Sequence, residues 1–136
     1  MPDAPAARPT FADFIERLRA LRFTERFDAV VAIANGGCVP GALLAERFQI
    51  PLEILHLNWR GPDNTPCRET PTLLRAPSFS FAGKALLIAD DRSKTGATLE
   101  AARRILREAA LLRTFAVNGT ADYSLYNTTC FPMPWR

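Results

Sequence analysis

Hydrophobic positions switch between two spacings along this chain, and each switch marks an element. Phe11, Phe14, Ile15, Leu18 and Leu21 recur at helical intervals. Thr10, with Asp13 three residues on, makes a capping-box-like start for that helix. The phenylalanines of the stripe read as core packing. Residues 28–34 are then a short run, apolar after the first, closed by Asn35-Gly36-Gly37. Such a run fits a strand buried on both faces of a parallel sheet. A helix is expected next, because Pro40 is tolerated in a first turn, Leu43, Leu44 and Phe48 give an apolar face, and Gln49-Ile50-Pro51 ends it. A second strand is predicted at 52–58, a third at 84–89 and a fourth at 113–118. Leu99, Ala102, Ile105, Leu106 and Ala109 mark the apolar face of a helix that follows Thr98.

Alternation of strands and helices predicts an α/β fold: a mainly parallel sheet flanked by helices, with ligands at the carboxyl ends of the strands. Residues 59–81 carry several prolines and no sustained period, and read as a long mobile loop. Loops of that length inside a compact domain often close over an active site. The tail beyond about residue 119 is rich in aromatic residues and proline. The whole chain, 1–136, is expected to form one domain, since its 48 % hydrophobic residues suffice for a single core.

Composition narrows the function. No stretch of about 18 apolar residues could span a bilayer, and the first residues lack a signal-peptide layout, so a cytoplasmic location is expected and no membrane partner. Cys38, Cys67 and Cys130 form no Cys-x-x-Cys pair, which fits a reducing compartment. The single histidine, His56, lies in an apolar run and reads as a core or sheet-edge residue. A net charge of +3 suits an anionic partner, but the arginines are scattered among acids. A polyanionic small molecule is therefore expected rather than nucleic acid.

The chemistry concentrates in Asp90-Asp91-Arg92-Ser93-Lys94-Thr95-Gly96-Ala97-Thr98. A buried strand here delivers two carboxylates into a short turn at a helix start. The helix's free N–H groups bind a phosphate, Thr95 and Thr98 add hydroxyl donors, and Gly96 lets the backbone approach. The carboxylates can accept from ribose hydroxyls or hold a magnesium ion. The P-loop order Gly-x-x-x-x-Gly-Lys-Ser/Thr is absent. Each feature alone would read as the end of a strand or a helix cap; their combination points to a sugar phosphate.

Strand, two acids, then Thr-Gly-x-Thr resembles the motif by which type I phosphoribosyltransferases bind phosphoribosyl pyrophosphate (PRPP). Residues 32–45, around Asn35-Gly36-Gly37, are similar to the pyrophosphate loop and following helix of the bacterial xanthine-guanine phosphoribosyltransferase branch. Arg68-Glu69 and residues 73–76 resemble its mobile catalytic loop, and residues 131–135 its closing hood near the base. The resemblance implies a magnesium-dependent displacement of pyrophosphate from PRPP by a nitrogenous base, with a purine first among acceptors. It implies that Asp90 and Asp91 hold the ribose hydroxyls and approach Mg2+, that Ser93, Lys94, Thr95, Gly96, Ala97 and Thr98 cradle the 5′-phosphate, and that Asn35, Gly36 and Gly37 receive pyrophosphate. Arg68 would close on pyrophosphate oxygens, although a solvated loop arginine is an equal reading, and Phe131 or Trp135 would stack on the base. A homo-oligomer is the family's habit.

Cys130 or Phe131 stands near where relatives stack a tryptophan on the base, and three further positions depart from the pattern. Lys94 stands where purine-salvage relatives carry an aspartate near the base, Asn35 where a basic residue precedes the paired glycines, and Val117 about where a lysine meets the base's exocyclic oxygen. Two other readings stay open with them: a PRPP- or nucleotide-sensing protein without base chemistry, and an RNA-binding regulator on the same fold.

Overall fold

The computed structural model describes residues 8–58 and 72–135. Its elements in chain order are α1 (Phe11–Ala20), β1 (Ala29–Ala34), α2 (Cys38–Phe48), β2 (Leu52–Asn58), β3 (Thr72–Leu73), β4 (Ala85–Ser93), α3 (Ala97–Ile105), β5 (Leu111–Gly119) and β6 (Tyr123–Tyr126). They build one sheet of order β3-β2-β1-β4-β5-β6. All neighbours pair in parallel except β3, which runs antiparallel on β2.

Each helix forms where the apolar stripe predicts it. At the start of α1 the capping box closes in both directions: Thr10 N–H donates to Asp13 Oδ2 at 2.9 Å and Asp13 N–H to Thr10 Oγ1 at 3.1 Å. Val30 and Val31 of β1 and Leu86, Leu87 and Ile88 of β4 are fully buried, as central strands covered on both faces must be. Phe14 and Leu18 of α1 and Leu44 and Ala45 of α2 cover one face of the sheet with Val30, Leu87, Phe115 and Val117. Leu99, Ala101, Ala102 and Leu106 cover the other with Val31, Ile33, Leu55 and Ile88. The result is the three-layer α/β architecture that the sequence predicts.

Four boundaries differ from the sequence reading, each for a tertiary reason. The third predicted strand does not stop at Ala89. β4 runs on to Ser93 because β5 is equally long and pairs with it to the end, Arg92 opposite Asn118 and Ser93 opposite Gly119. α3 ends at Ile105, short of Ala109, where the chain turns into β5. The loop predicted at 59–81 contains β3, whose residues 72 and 73 pair with Asn58 and Leu57. Finally, the tail contributes a sheet strand, β6, parallel to β5. Its tight return is stapled by Asp122: Thr114 N–H donates to Asp122 Oδ2 at 2.9 Å, and Asp122 N–H donates to Thr114 Oγ1 at 3.0 Å.

The sheet order places the crevice. From β1 the chain crosses through α2 to β2 on one side, whereas β4 lies on the other side of β1 and leads through α3 to β5. α2 and α3 pack on opposite faces. The carboxyl ends of β1 and β4 therefore flank the point where the winding direction reverses, the usual ligand crevice of such sheets.

Candidate active site

Two turns meet at that crevice. Asn35-Gly36-Gly37 follows β1, and its Ala34–Asn35 peptide is cis. Gly37 N–H donates to Ile33 O at 2.8 Å, and Cys38 N–H to Asn35 O at 3.0 Å, which folds the loop back onto the strand and starts α2. Across from it, Asp90 and Asp91 lie within the end of β4 and are 7 % and 8 % exposed. The fit is close enough that a Cβ on Gly36 would stand 2.6 Å from Asp91 Cγ and Oδ1. The first loop and the acidic pair, far apart in the sequence, are thus neighbours in the fold.

Gly36→Ala sets a methyl against the Asp91 side chain, which must turn out of its bond with Arg92 N–H to make room, so the fold should survive while the carboxylate moves. We expect melting within about 1 kcal/mol of wild type and a loss of PRPP binding of about tenfold or more. Calorimetric titration alongside a thermal melt reads both; unchanged PRPP binding would show that the Gly36–Asp91 contact is incidental.

The carboxylates are held in place by the chain around them. Asp90 Oδ1 accepts from Asp91 N–H and Asp91 Oδ1 from Arg92 N–H, both at 2.8 Å. Burial, and after it the charge of Asp91, pushes the Asp90 carboxyl well above the usual carboxylate range. Such a group gains from any hydroxyl or cation that comes to share its charge. Burial, with Asp90 as a second cause, also raises the Cys38 thiol at the start of α2, so this cysteine stays in its unreactive form.

Beyond Ser93 the chain turns through Lys94 and Thr95, both exposed, to Gly96. Gly96 takes φ +82°, a backbone that favours glycine, and begins α3 with no side-chain cap. Thr95 Oγ1 accepts from Ala97 N–H at 3.2 Å. The first turn of a helix leaves N–H groups without intrahelical partners, at the positive end of the dipole, a setting that suits an anion. The Ser93 side chain is buried, and its Oγ has no hydrogen-bond partner among the described residues.

The two aromatic residues singled out in the tail both pack against the core on the α1–α2 face of the sheet, at different points. Phe131 lies beside the acidic strand, its carbonyl accepting from Arg92 Nη2 at 2.8 Å and its ring edge-on to Tyr126 at 5.2 Å. Trp135 packs edge-on against Phe14 of α1 at 5.1 Å, among core residues. Val117 is fully buried in the same core. Arg68 lies outside the described residues. Arg92, part of the Asp90–Thr98 segment but given no role of its own from the sequence, bridges strand and tail.

Among the described residues no three His, Cys, Asp or Glu side chains converge to cage a metal. The pair Asp90 and Asp91 does fit magnesium, which binds through one or two carboxylates and takes its other oxygens from water and substrate phosphates.

Comparison with known proteins accords with this fold. The phosphoribosyl transferase domain model matches residues 4–113. A purine phosphoribosyltransferase from Pyrococcus horikoshii Ot3 superposes with a TM-score of 0.78 at 22 % identity, over 93 % of this chain and 91 % of that one. A Neisseria gonorrhoeae protein with bound ppGpp gives 0.72 at 17 % identity, over 94 % and 87 %. The Helicobacter pylori xanthine-guanine-hypoxanthine phosphoribosyltransferase gives 0.68 at 13 %, over 90 % and 85 %. At these identities the structures speak for a shared fold, and the domain match over most of the sequence speaks for descent. The chain belongs to the phosphoribosyltransferase family, pentosyltransferase enzymes of the type I fold.

Proposed function

We propose that the chain transfers the 5-phosphoribosyl group of magnesium-bound PRPP to a ring nitrogen of a base, a purine first among acceptors, and releases pyrophosphate. The contact of Gly36 with Asp91 at the reversal of the sheet carries this reading. It sets a glycine loop suited to pyrophosphate beside carboxylates suited to ribose, next to an uncapped helix start suited to the 5′-phosphate. The purine is supported by the purine and xanthine-guanine-hypoxanthine enzymes among the structural neighbours.

In this reading Asp90 and Asp91 accept from the ribose hydroxyls and hold magnesium, which when bound would neutralise charge on the leaving pyrophosphate. Residues 93–98 grip the 5′-phosphate through backbone N–H groups and the hydroxyls of Thr95 and Thr98. Asn35 contributes a neutral amide to pyrophosphate. The protein needs no nucleophile of its own; it orients two substrates and excludes water from a cation-like transition state. Phe131 forms a wall of the acceptor side. Trp135 was the other candidate for that wall, and its contact with Phe14 supports an anchoring role instead. The reading extends to the whole chain as one domain and to a cytoplasmic homo-oligomer; no described helix is long and apolar enough to cross a membrane.

The test is to incubate the protein with PRPP, magnesium and each of a panel of purine and pyrimidine bases, and to seek the nucleotide by mass spectrometry. One product names the acceptor. Arg68→Ala should then lower turnover about tenfold or more with melting unchanged; an unaltered rate removes Arg68 from the mechanism.

A second reading is a nucleotide-binding regulator without base chemistry. It is favoured by the Neisseria neighbour with bound ppGpp, and by a lysine at 94 and a core valine at 117 where a base would need polar partners. Magnesium-dependent PRPP binding with no product from any base would select it.

A further inference from the structure

Arg92 has no part in the roles proposed so far, yet it lies between the two sides of the site. Its Nη1 stands 3.8 Å from Asp91 Oδ2, and its Nη2 donates to the Phe131 carbonyl at 2.8 Å. Its Nε is buried without a hydrogen-bond partner among the described residues. A guanidinium that leaves one N–H unpaired inside the protein is held by its other contacts, and concessions of this kind gather at functional sites.

The neighbours of Arg92 grip the same stretch of tail. Arg92, Asn118 and Tyr126 are register partners across β4, β5 and β6, and register partners share a face of the sheet. Asn118 Nδ2 donates to the carbonyls of Thr128 and Thr129, each at 3.3 Å, and its Oδ1 accepts from Thr128 N–H at 3.0 Å. The Tyr126 ring meets the ring of Phe131. Residues 128–131 thus lie across a row of three side chains, and the first of the row reaches on to the acidic pair.

We infer that Arg92 is a positioning residue that couples Phe131, on the acceptor side, to the Asp91 carboxylate, on the phosphoribosyl side. The inference rests on the roles proposed for Asp91 and Phe131. A ribose hydroxyl or a cation that engages Asp91 changes the charge Arg92 sees, the guanidinium adjusts, and the carbonyl bonded to it moves too. Filling the phosphoribosyl side thereby sets the acceptor wall. An arginine that merely tied down the tail would affect stability and leave the two sides independent.

Trp135, four residues beyond Phe131, reports on the tail, and Trp59→Phe leaves it as the sole tryptophan. In that background, PRPP with magnesium should change Trp135 emission. The change should vanish with Arg92→Leu and persist in part with Arg92→Lys, whose ammonium can serve Asp91 or Phe131 but lacks the fork to hold both. Arg92→Leu should also raise the KM for the acceptor about tenfold while the PRPP dissociation constant stays within about threefold. A folded Arg92→Leu with the parent's emission change and KM would overturn the inference. So would a Trp59→Phe protein that binds PRPP with no emission change. If Arg92→Leu fails to fold, a full parental response in Arg92→Lys overturns it equally. A wild type that binds no PRPP sinks the proposed function and the coupling together, whereas PRPP binding with acceptor and tail unresponsive sinks the coupling alone.

Discussion

Asp90→Asn should cost turnover about a hundredfold or more and at the same time make the protein more stable at neutral pH. Asparagine keeps the oxygen that accepts from Asp91 N–H at 2.8 Å, so the local backbone stays as it is. What goes is a carboxyl whose negative charge is opposed by burial and by a second carboxylate. Toward substrate that charge is an asset, because a neutral amide oxygen accepts more weakly and its nitrogen cannot accept at all. Toward the fold it is a burden, and active-site groups often carry such a cost.

The sign of the pH dependence follows from the raised carboxyl. In the unfolded chain Asp90 gives up its proton in the ordinary range, at about pH 4, while the folded protein holds it to higher pH. Between those two values the folded state binds more protons, so this group's contribution to stability falls as pH rises through the window. The asparagine variant lacks that fall. Thermal melts of the metal-free proteins should nearly coincide at pH 4 and separate by about 3 °C or more at pH 7, the variant higher. Equal separation at every pH would show that the folded carboxyl titrates normally.

Gly37→Ala should act on the opposite property. A Cβ there would lie 2.2 Å from Ala89 O and 2.9 Å from Ile33 N and O, which are backbone atoms of the two central strands. Neither strand can retreat without breaking its pairing, so the clash spreads into β1 and β4. Overpacking of this kind costs roughly 3 kcal/mol, a fall in Tm on the order of 10 °C. Chemical denaturation measures it directly; a loss below about 1 kcal/mol would mean that the start of α2 can shift outward. The neighbouring glycines should thus separate: Gly36 borders the Asp91 side chain and its alanine is expected to tell on PRPP binding, whereas Gly37 borders backbone and its alanine is expected to tell on the fold.

Much of this molecule is legible one segment at a time. The Thr10–Asp13 capping box, the apolar run before Asn35 and the stripe from Leu99 to Leu106 are local signals, because helix and strand periods show within a dozen residues. The acidic pair followed by Thr-Gly-Ala-Thr is likewise contiguous, so its resemblance to a PRPP-binding motif shows without the fold. β6 was hidden because an edge strand of four residues in a proline-rich tail has too short a pattern, and its position depends on Asp122 reaching Thr114. The end of β4 was misplaced because a polar stretch stays extended only when a partner as long as β5 pairs with it.

By itself, then, the amino-acid sequence determined the α/β class, the three helices and the four longer strands, since backbone preference and hydrophobic period act between near neighbours. Tertiary structure decided which residues lie together. Gly36 meets Asp91 only because the sheet order reverses between β1 and β4, and Arg92 joins Asp91 to Phe131 only because the tail returns across three paired strands. Contacts between segments so distant in the chain leave no local period to read; they arise from the pairing and packing of whole elements.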